Sequence, residues 1–312
     1  MGVEIMVNTD EIHIAILLAT YNGEKYLREQ MESLLTQKKV TTKIYIHDDF
    51  STDGTKKIIE QVSSQFPNRV IMINSSHSLG VVKSYQFLLD NVDADFYFFS
   101  DQDDVWDENK VSEEIFLLKQ FEGIPSLVYS DLEIVDSKLN VLSQSMFRSM
   151  NVVNTDKTAM LLTQNVITGN TVAFNKALRN LIVNHFRMDD DLILMHDGWL
   201  GLVSSIYGKI FFLSKPTVKY RQHESNVVGA RKNKIDKLLH IEHLKQAVIN
   251  TIVQGRALNK KMSLFTDSTL SFSQRQKAEQ LVSSYAMLPN CSTFDKLNIC
   301  LLYTSPSPRD RS

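Results

Sequence analysis

The 312-residue sequence predicts an α/β fold in which helices flank a mostly parallel, doubly wound sheet. Three observations carry this expectation. Short, almost wholly apolar runs alternate four times with stretches whose apolar residues fall at helical spacing. The runs show no in–out alternation, as expected of strands buried on both faces. Each run ends in a polar loop, so the loops gather at the edge where open α/β sheets bind ligands.

The first run, residues 13–19, is broken by Thr20-Tyr21-Asn22-Gly23, after which Leu27, Met31, Leu34 and Leu35 mark a helix. A second strand, 43–47, ends in Asp48-Asp49-Phe50-Ser51-Thr52-Asp53-Gly54-Thr55, where Asp53 suits the cap of a helix over 56–62. A third, 70–74, leads through a polar loop at 75–80 to a helix with Val82, Tyr85, Leu88 and Leu89 on one face. The fourth is the most informative. Its apolar residues 96–99 stop at Ser100-Asp101-Gln102-Asp103-Asp104-Val105-Trp106. Three carboxylates within four positions repel one another unless a cation compensates them, and hard oxygen ligands suit Mg²⁺ or Mn²⁺. The plainer reading is a solvated acidic turn that feeds Asp107 and Glu108 into the next helix.

The second half is less regular. Strands are expected at 126–130, 171–174 and 209–213, and a helix at 176–186. His196-Asp197-Gly198-Trp199 opens an apolar helix to about Tyr207, and Tyr220-Arg221-Gln222-His223-Glu224-Ser225-Asn226 ends the α/β pattern. Helical spacing resumes over 232–261 and again over 274–287. The expected division is a domain over 11–230, a helical extension over 231–300 and a low-complexity tail at 301–312, disordered or non-native. A net charge of −2 without a basic stripe gives no reason to expect nucleic-acid binding. The two cysteines, Cys291 and Cys300, match no disulfide or zinc pattern and fit a reducing cytoplasm. The first twenty residues carry Glu4, Asp10 and Glu11 in place of a basic leader, and no apolar run is long enough to span a bilayer. A soluble or at most peripheral protein is expected.

Taken together, Ala19-Thr20-Tyr21-Asn22-Gly23, the Asp48-Asp49-x-Ser51-x-Asp53-Gly54-Thr55 segment, Asp101-x-Asp103-Asp104 and His196-Asp197 come in the order seen in glycosyltransferase family 2. The Asp-Gln-Asp-Asp-Val-Trp variant, with Tyr-Arg-Gln-His-x-x-Asn downstream, most resembles bacterial rhamnosyltransferase-type members that build cell-surface polysaccharide. The resemblance covers roughly residues 11–228. It implies a GT-A fold and inverting transfer from a dTDP- or UDP-sugar to a saccharide or lipid-linked acceptor, with Mn²⁺ or Mg²⁺ as cofactor. Thr20, Tyr21 and Asp48 would surround the nucleoside, with Asp101 and Gln102 toward the donor. Asp103, Asp104 and His223 would serve the metal, and Asp197 would be the base that deprotonates the acceptor. Gly169 would lie in the acceptor-side loop. Lys83 is a candidate phosphate contact, and Trp106 and Trp199 are candidates to floor a sugar pocket.

Each residue also has a plainer role. Thr20, Tyr21 and Asp48 would serve as strand-end punctuation, Lys83 as a solvated lysine, Asp197 as a helix cap, His223 as a structural histidine and the tryptophans as core. Membrane-surface contact by the extension has no basic amphipathic face to support it. A competing reading makes Asp101 the nucleophile and Asp103 the acid/base of a haloacid-dehalogenase-type phosphatase. That fold starts its core at this strand, whereas three strand–helix units precede it here. A nucleotidyltransferase would need a glycine- and lysine-rich first loop, which Thr20-Tyr21-Asn22-Gly23 is not. A binding protein that has lost catalysis sits poorly with an intact Asp103 and Asp197.

Overall fold

In the computed structural model, residues 12–222 and 237–265 are described, with isolated positions at 276, 280 and 283. The four apolar runs become β1 (Ile14–Thr20), β2 (Lys43–Asp48), β3 (Val70–Met72) and β4 (Phe96–Ser100). Between them lie α1 (Leu27–Leu35), α2 (Thr55–Gln65) and α3 (Val81–Asn91). These strands pair in parallel in the order β3-β2-β1-β4, as the strand–helix alternation predicts. Successive residues point to opposite faces. Ala15, Leu17, Tyr97 and Phe99 enter one core layer, with α3 beneath, while Ile14, Ile16, Leu18, Phe96 and Phe98 enter the other, against α1 and α2.

The chain continues through β5 (Val105–Trp106), α4 (Lys110–Leu118), β6 (Ser126–Val135), β7 (Val141–Ser143), α5 (Met146–Met150) and α6 (Thr158–Thr163). It then forms β8 (Val172–Asn175), α7 (Lys176–His185), α8 (His196–Tyr207), β9 (Lys209–Arg221) and α9 (Lys237–Leu264). The full path is β3-β2-β1-β4-β8-β6-β9-β5, with β7 on β6. Strand β8 enters antiparallel to both β4 and β6, so the sheet is mixed beyond its first four strands. Asn175 ends β8 and caps α7 by accepting from the Leu178 N–H at 3.1 Å.

Three features depart from the sequence expectation. The short β5, β7, α5 and α6 carry too few residues for a period to be read. Strand β6 runs to Val135 and β9 to Arg221, well past the apolar cores expected at 126–130 and 209–213. The continuation of β9 holds Ser214, Lys215 and Pro216, and Pro216 sits opposite Asp131 at a register shift, where a missing N–H is tolerated.

Helix α9 buries Ala257, Leu258 and Met262 in the same core layer as Trp199 and Phe186. The expected helix over 274–287 lies outside the described residues except for those three positions. No helix among the described residues is long and apolar enough to cross a membrane.

Candidate functional site

Parallel pairing aligns Thr20 with Asp48 and Leu18 with Ser100, so the loops after β1, β2 and β4 meet at one edge. Thr20 Oγ1 donates to Asp48 Oδ1 at 3.0 Å, and Asp48 also receives the Ser51 N–H at 3.0 Å. The first two loops are stitched together by Asn22, whose side chain accepts from Thr52 N–H at 2.8 Å, and by the Gly23 N–H, which donates to Thr55 Oγ1 at 2.8 Å. Asn22 adopts φ 50°, the left-handed region that a short polar side chain tolerates. Gln102 then clamps the first loop. Its amide accepts from the Tyr21 N–H at 2.8 Å and donates to the Tyr21 carbonyl at 3.0 Å. The amide occupies the space beside Gly23, which a Cβ there would close. The Tyr21 ring is left 57% exposed at the rim, a flat face open for stacking.

Asp49, the neighbour of Asp48, has a separate task. It accepts from Leu79 N–H, Gly80 N–H and Ser78 Oγ at 2.6–2.9 Å and so fixes the loop before α3. Those bonds hold its carboxyl below the ordinary range despite burial.

The acidic loop divides its three carboxylates. Asp104 is buried and turned inward, where it accepts from the Asn170 amide and from the Arg221 N–H at 3.0 Å. Its expected place on the metal is not where the structure puts it. The inward carboxylate instead ties the loop to the turn before β8 and to the end of β9. Asp101 and Asp103 are half-buried at the site. Burial and the charges of Asp103 and Asp197 push the Asp101 carboxyl up to about 7. Such mutual repulsion is what a bound cation relieves. Among the described residues no group of three or more histidine, cysteine or acidic side chains forms a metal cage. A pair of carboxylates does suit Mg²⁺-like ions, which are held by one or two carboxylates together with substrate phosphates. The residues present therefore fit a cation shared with a diphosphate. His223 lies outside the described residues.

Asp197 stands in the first turn of α8, where the helix dipole favours an anion. It accepts from Asn165 Nδ2 at 3.0 Å and from the Gly198 and Gly169 N–H groups. Burial outweighs these donors and raises its carboxyl to about 6, suited to a base near neutral pH. Tyr85 links the two acids: its hydroxyl reaches Asp101 at 3.3 Å and its ring stacks on His196, the residue before Asp197.

The other expected residues fall elsewhere. Lys83 is ion-paired with Asp191 at 2.8 Å, both side chains being exposed. Trp106 is buried against Phe98 and under the Lys110 ammonium, in the layer of α1 and α4. Trp199 is fully buried and donates to the Phe186 carbonyl at 2.6 Å. Neither tryptophan floors a pocket; ring area of that size is better sheltered in the core than left half-wet. The expectations missed Asn165 and Tyr85, whose hydroxyl donates to the Ser100 carbonyl at 2.7 Å and reaches Asp101 at 3.3 Å. They also missed Arg221, whose guanidinium bonds the Asp103 carbonyl at 2.8 Å, the Ser137 carbonyl at 2.9 Å and Glu29 at 2.6 Å. The only sequence signal for Arg221 was its place in the Tyr-Arg-Gln-His stretch.

Comparison with known proteins gives the family and the fold. The family model "Glycosyl transferase family 2" matches residues 15–161. A dTDP-rhamnosyl transferase, RfbG of Shigella flexneri, is 30% identical over 225 residues, covering 68% of this chain and 74% of that protein. The structure of S. aureus TarS 1-349 in complex with UDP-GlcNAc superposes with a TM-score of 0.54 at 15% identity, over 92% of this chain and 78% of that one. A mannosyltransferase from Pyrobaculum calidifontis, in complex with GDP-Man and Mn²⁺, gives 0.50 at 11% identity, over 94% and 81%. These two likenesses are of fold.

Proposed function

The chain belongs to glycosyltransferase family 2, and from that premise we propose that it is an inverting, divalent-cation-dependent transferase with rhamnose as its first candidate sugar. The observation that carries the reading is the pairing of an acidic strand-end loop with a buried carboxylate, Asp101 and Asp197, across one site. The phosphatase alternative falls away, because the chain is a glycosyltransferase with the GT-A fold.

On this reading Tyr21 offers its ring to the base, and Asp48, anchored by Thr20 and Ser51, borders the nucleoside. Asp101 and Asp103 would hold Mn²⁺ or Mg²⁺ with the donor diphosphate, and the ion would supply neutralisation of the charge left on the departing nucleoside diphosphate. Asp197 takes the proton from the acceptor hydroxyl on the face of the sugar opposite the leaving group, so a single displacement inverts the anomeric centre. The bonds from Asn165, Gly198 and Gly169 aim that carboxylate. A dTDP-rhamnosyl transferase as relative favours dTDP-rhamnose, and a fold neighbour holding UDP-GlcNAc makes UDP-sugars the next donors to try. The motif resemblance supports a saccharide or lipid-linked acceptor in surface polysaccharide synthesis, with the chain cytoplasmic or peripheral at the inner face of the membrane. Residues 11–230 would then be the transfer domain and 231–300 its helical extension.

Release of free nucleoside diphosphate from a panel of nucleotide sugars tests this, with Mn²⁺, Mg²⁺ or EDTA, on wild type, Asp103→Ala and Asp197→Ala. Metal-dependent release from one donor, lost in both variants, is the expected outcome. Release that survives EDTA and Asp103→Ala would remove the metal from the reading. Calorimetric titration with dTDP and UDP settles donor class where turnover without acceptor is slow.

A further inference from the structure

His196 is buried, and neither ring nitrogen has a hydrogen-bond partner among the described residues. A polar ring held this way forgoes the bonds it would make in water, so its shape must account for its presence. One face stacks on Tyr85, centroids 4.0 Å apart and planes 24° apart, while Phe99 meets it edge-on at 5.1 Å. At its Nε2 edge is Gly169, where a Cβ would come within 2.7 Å of Nε2 and 3.6 Å of Asp197 Oδ2. The ring thus fills the gap between α3 and the turn before β8. Both neighbours hold a carboxylate: the Tyr85 hydroxyl reaches Asp101 at 3.3 Å, and the Gly169 N–H donates to Asp197.

We infer that His196 is a positioning residue whose ring, wedged between Tyr85 and Gly169, fixes the spacing of the Asp101 and Asp197 carboxylates. The inference rests on the reading of Asp197 as the base. An aliphatic side chain would lose the stack, and a six-membered ring would reach further into the turn. A neutral imidazole is flat and short enough for the space that glycine leaves. It carries no proton to or from substrate; burial holds its pKa down to about 3.

The test is a double-mutant cycle on the full chain: wild type, His196→Ala, Gly169→Ala and the pair, with Asp197→Asn alongside. Single-turnover release of nucleoside diphosphate from dTDP-rhamnose is measured, or from UDP-GlcNAc where wild type turns over only that donor. Calorimetric affinity for the matching nucleoside diphosphate in EDTA is measured in parallel. His196→Ala is expected to slow release by about tenfold or more, as misplacement of reacting groups does. Nucleotide affinity without the cation should stay within about twofold of wild type, because the loops after β1 and β2 are untouched. Gly169→Ala should do the same from the other side, since its methyl displaces the ring. The double variant should be no slower than the slower single one, because the methyl enters space the ring has vacated.

A His196→Ala protein at the wild-type rate beside an inactive Asp197→Asn overturns the inference and leaves the base in place. So do losses that multiply to about 100-fold in the double variant. Wild-type release by Asp197→Asn removes the base reading itself. If His196→Ala fails to fold, Gly169→Ala decides alone, and an unchanged rate there is the overturning result.

Discussion

At the residue scale, Asp197 carries the clearest consequence. Its carboxyl is raised to about 6 by burial, and under the proposed role as base it works only when deprotonated, so activity would belong above that pH. The rate of nucleoside diphosphate release is expected to fall about tenfold per pH unit below this point and to level off above it. Asp197→Asn should abolish the limb and cost roughly 10²–10⁴ in rate, without weakening nucleotide binding. A wild-type profile flat down to pH 4 would mean that another group takes the proton. The strand-end places of Thr20, Asp48 and Asp101 and the helix-opening place of Asp197 were legible in the sequence. The division of labour inside the acidic loop was not, because Asp104 turns inward only for Asn170 and Arg221, which are remote in the chain. For Trp106 and Trp199 both readings stood open for a related reason: a tryptophan beside a motif reads the same whether its ring faces a sugar or the core.

Among the elements, α9 shows which of two effects holds a helix in place. The run Asp189-Asp190-Asp191 is a docking strip: Asp189 meets Lys261 at 2.9 Å and Asp190 meets Lys260 at 2.7 Å. Exposed pairs of this kind contribute about 0–1 kcal/mol each. Leu258 is fully buried in the same contact, and removing a buried leucine side chain costs about 2–5 kcal/mol. In urea unfolding followed by circular dichroism, Leu258→Ala should therefore lose several times the stability that Lys260→Ala loses. The reverse order would make the charges the main attachment. Strand β9 teaches the complementary lesson. Its polar stretch through Lys215 and Pro216 has no pattern of its own and is a strand only because β6 lies beside it.

Across the whole molecule, the first half was readable because each strand–helix unit is local and periodic, and four such units dictate parallel pairing. The second half was not, because the insertion of β8 between β4 and β6 is decided by contacts between distant segments. Arg221 closes that architecture. Buried and stacked on Tyr26 at 4.4 Å, it bonds α1, the acidic loop and the turn before β7 at once. Arg221→Ala is expected to lose on the order of 3 kcal/mol in urea unfolding, since three acceptors lose a charged donor. Apparent Mn²⁺ affinity, followed by calorimetry with nucleoside diphosphate, should weaken with it. Arg221→Lys should recover only part of either loss, because one ammonium cannot span three directions. Equal Mn²⁺ affinity in wild type and Arg221→Ala would confine the residue to stability.

The bond from Arg221 to Glu29 joins residues 192 positions apart, and this sets a timetable for the growing chain. On the ribosome the first four strands can zip together as they emerge, since neighbouring units pair first and distant closure comes late. The loop bearing Asp101 and Asp103 then waits, already synthesised but unbraced, until more than a hundred further residues have been made. Stalled nascent chains ending before residue 221 should accordingly protect the β1–β4 amides from exchange while lacking cation-dependent nucleotide binding, and competence should arrive in a single step once β9 is free of the exit tunnel.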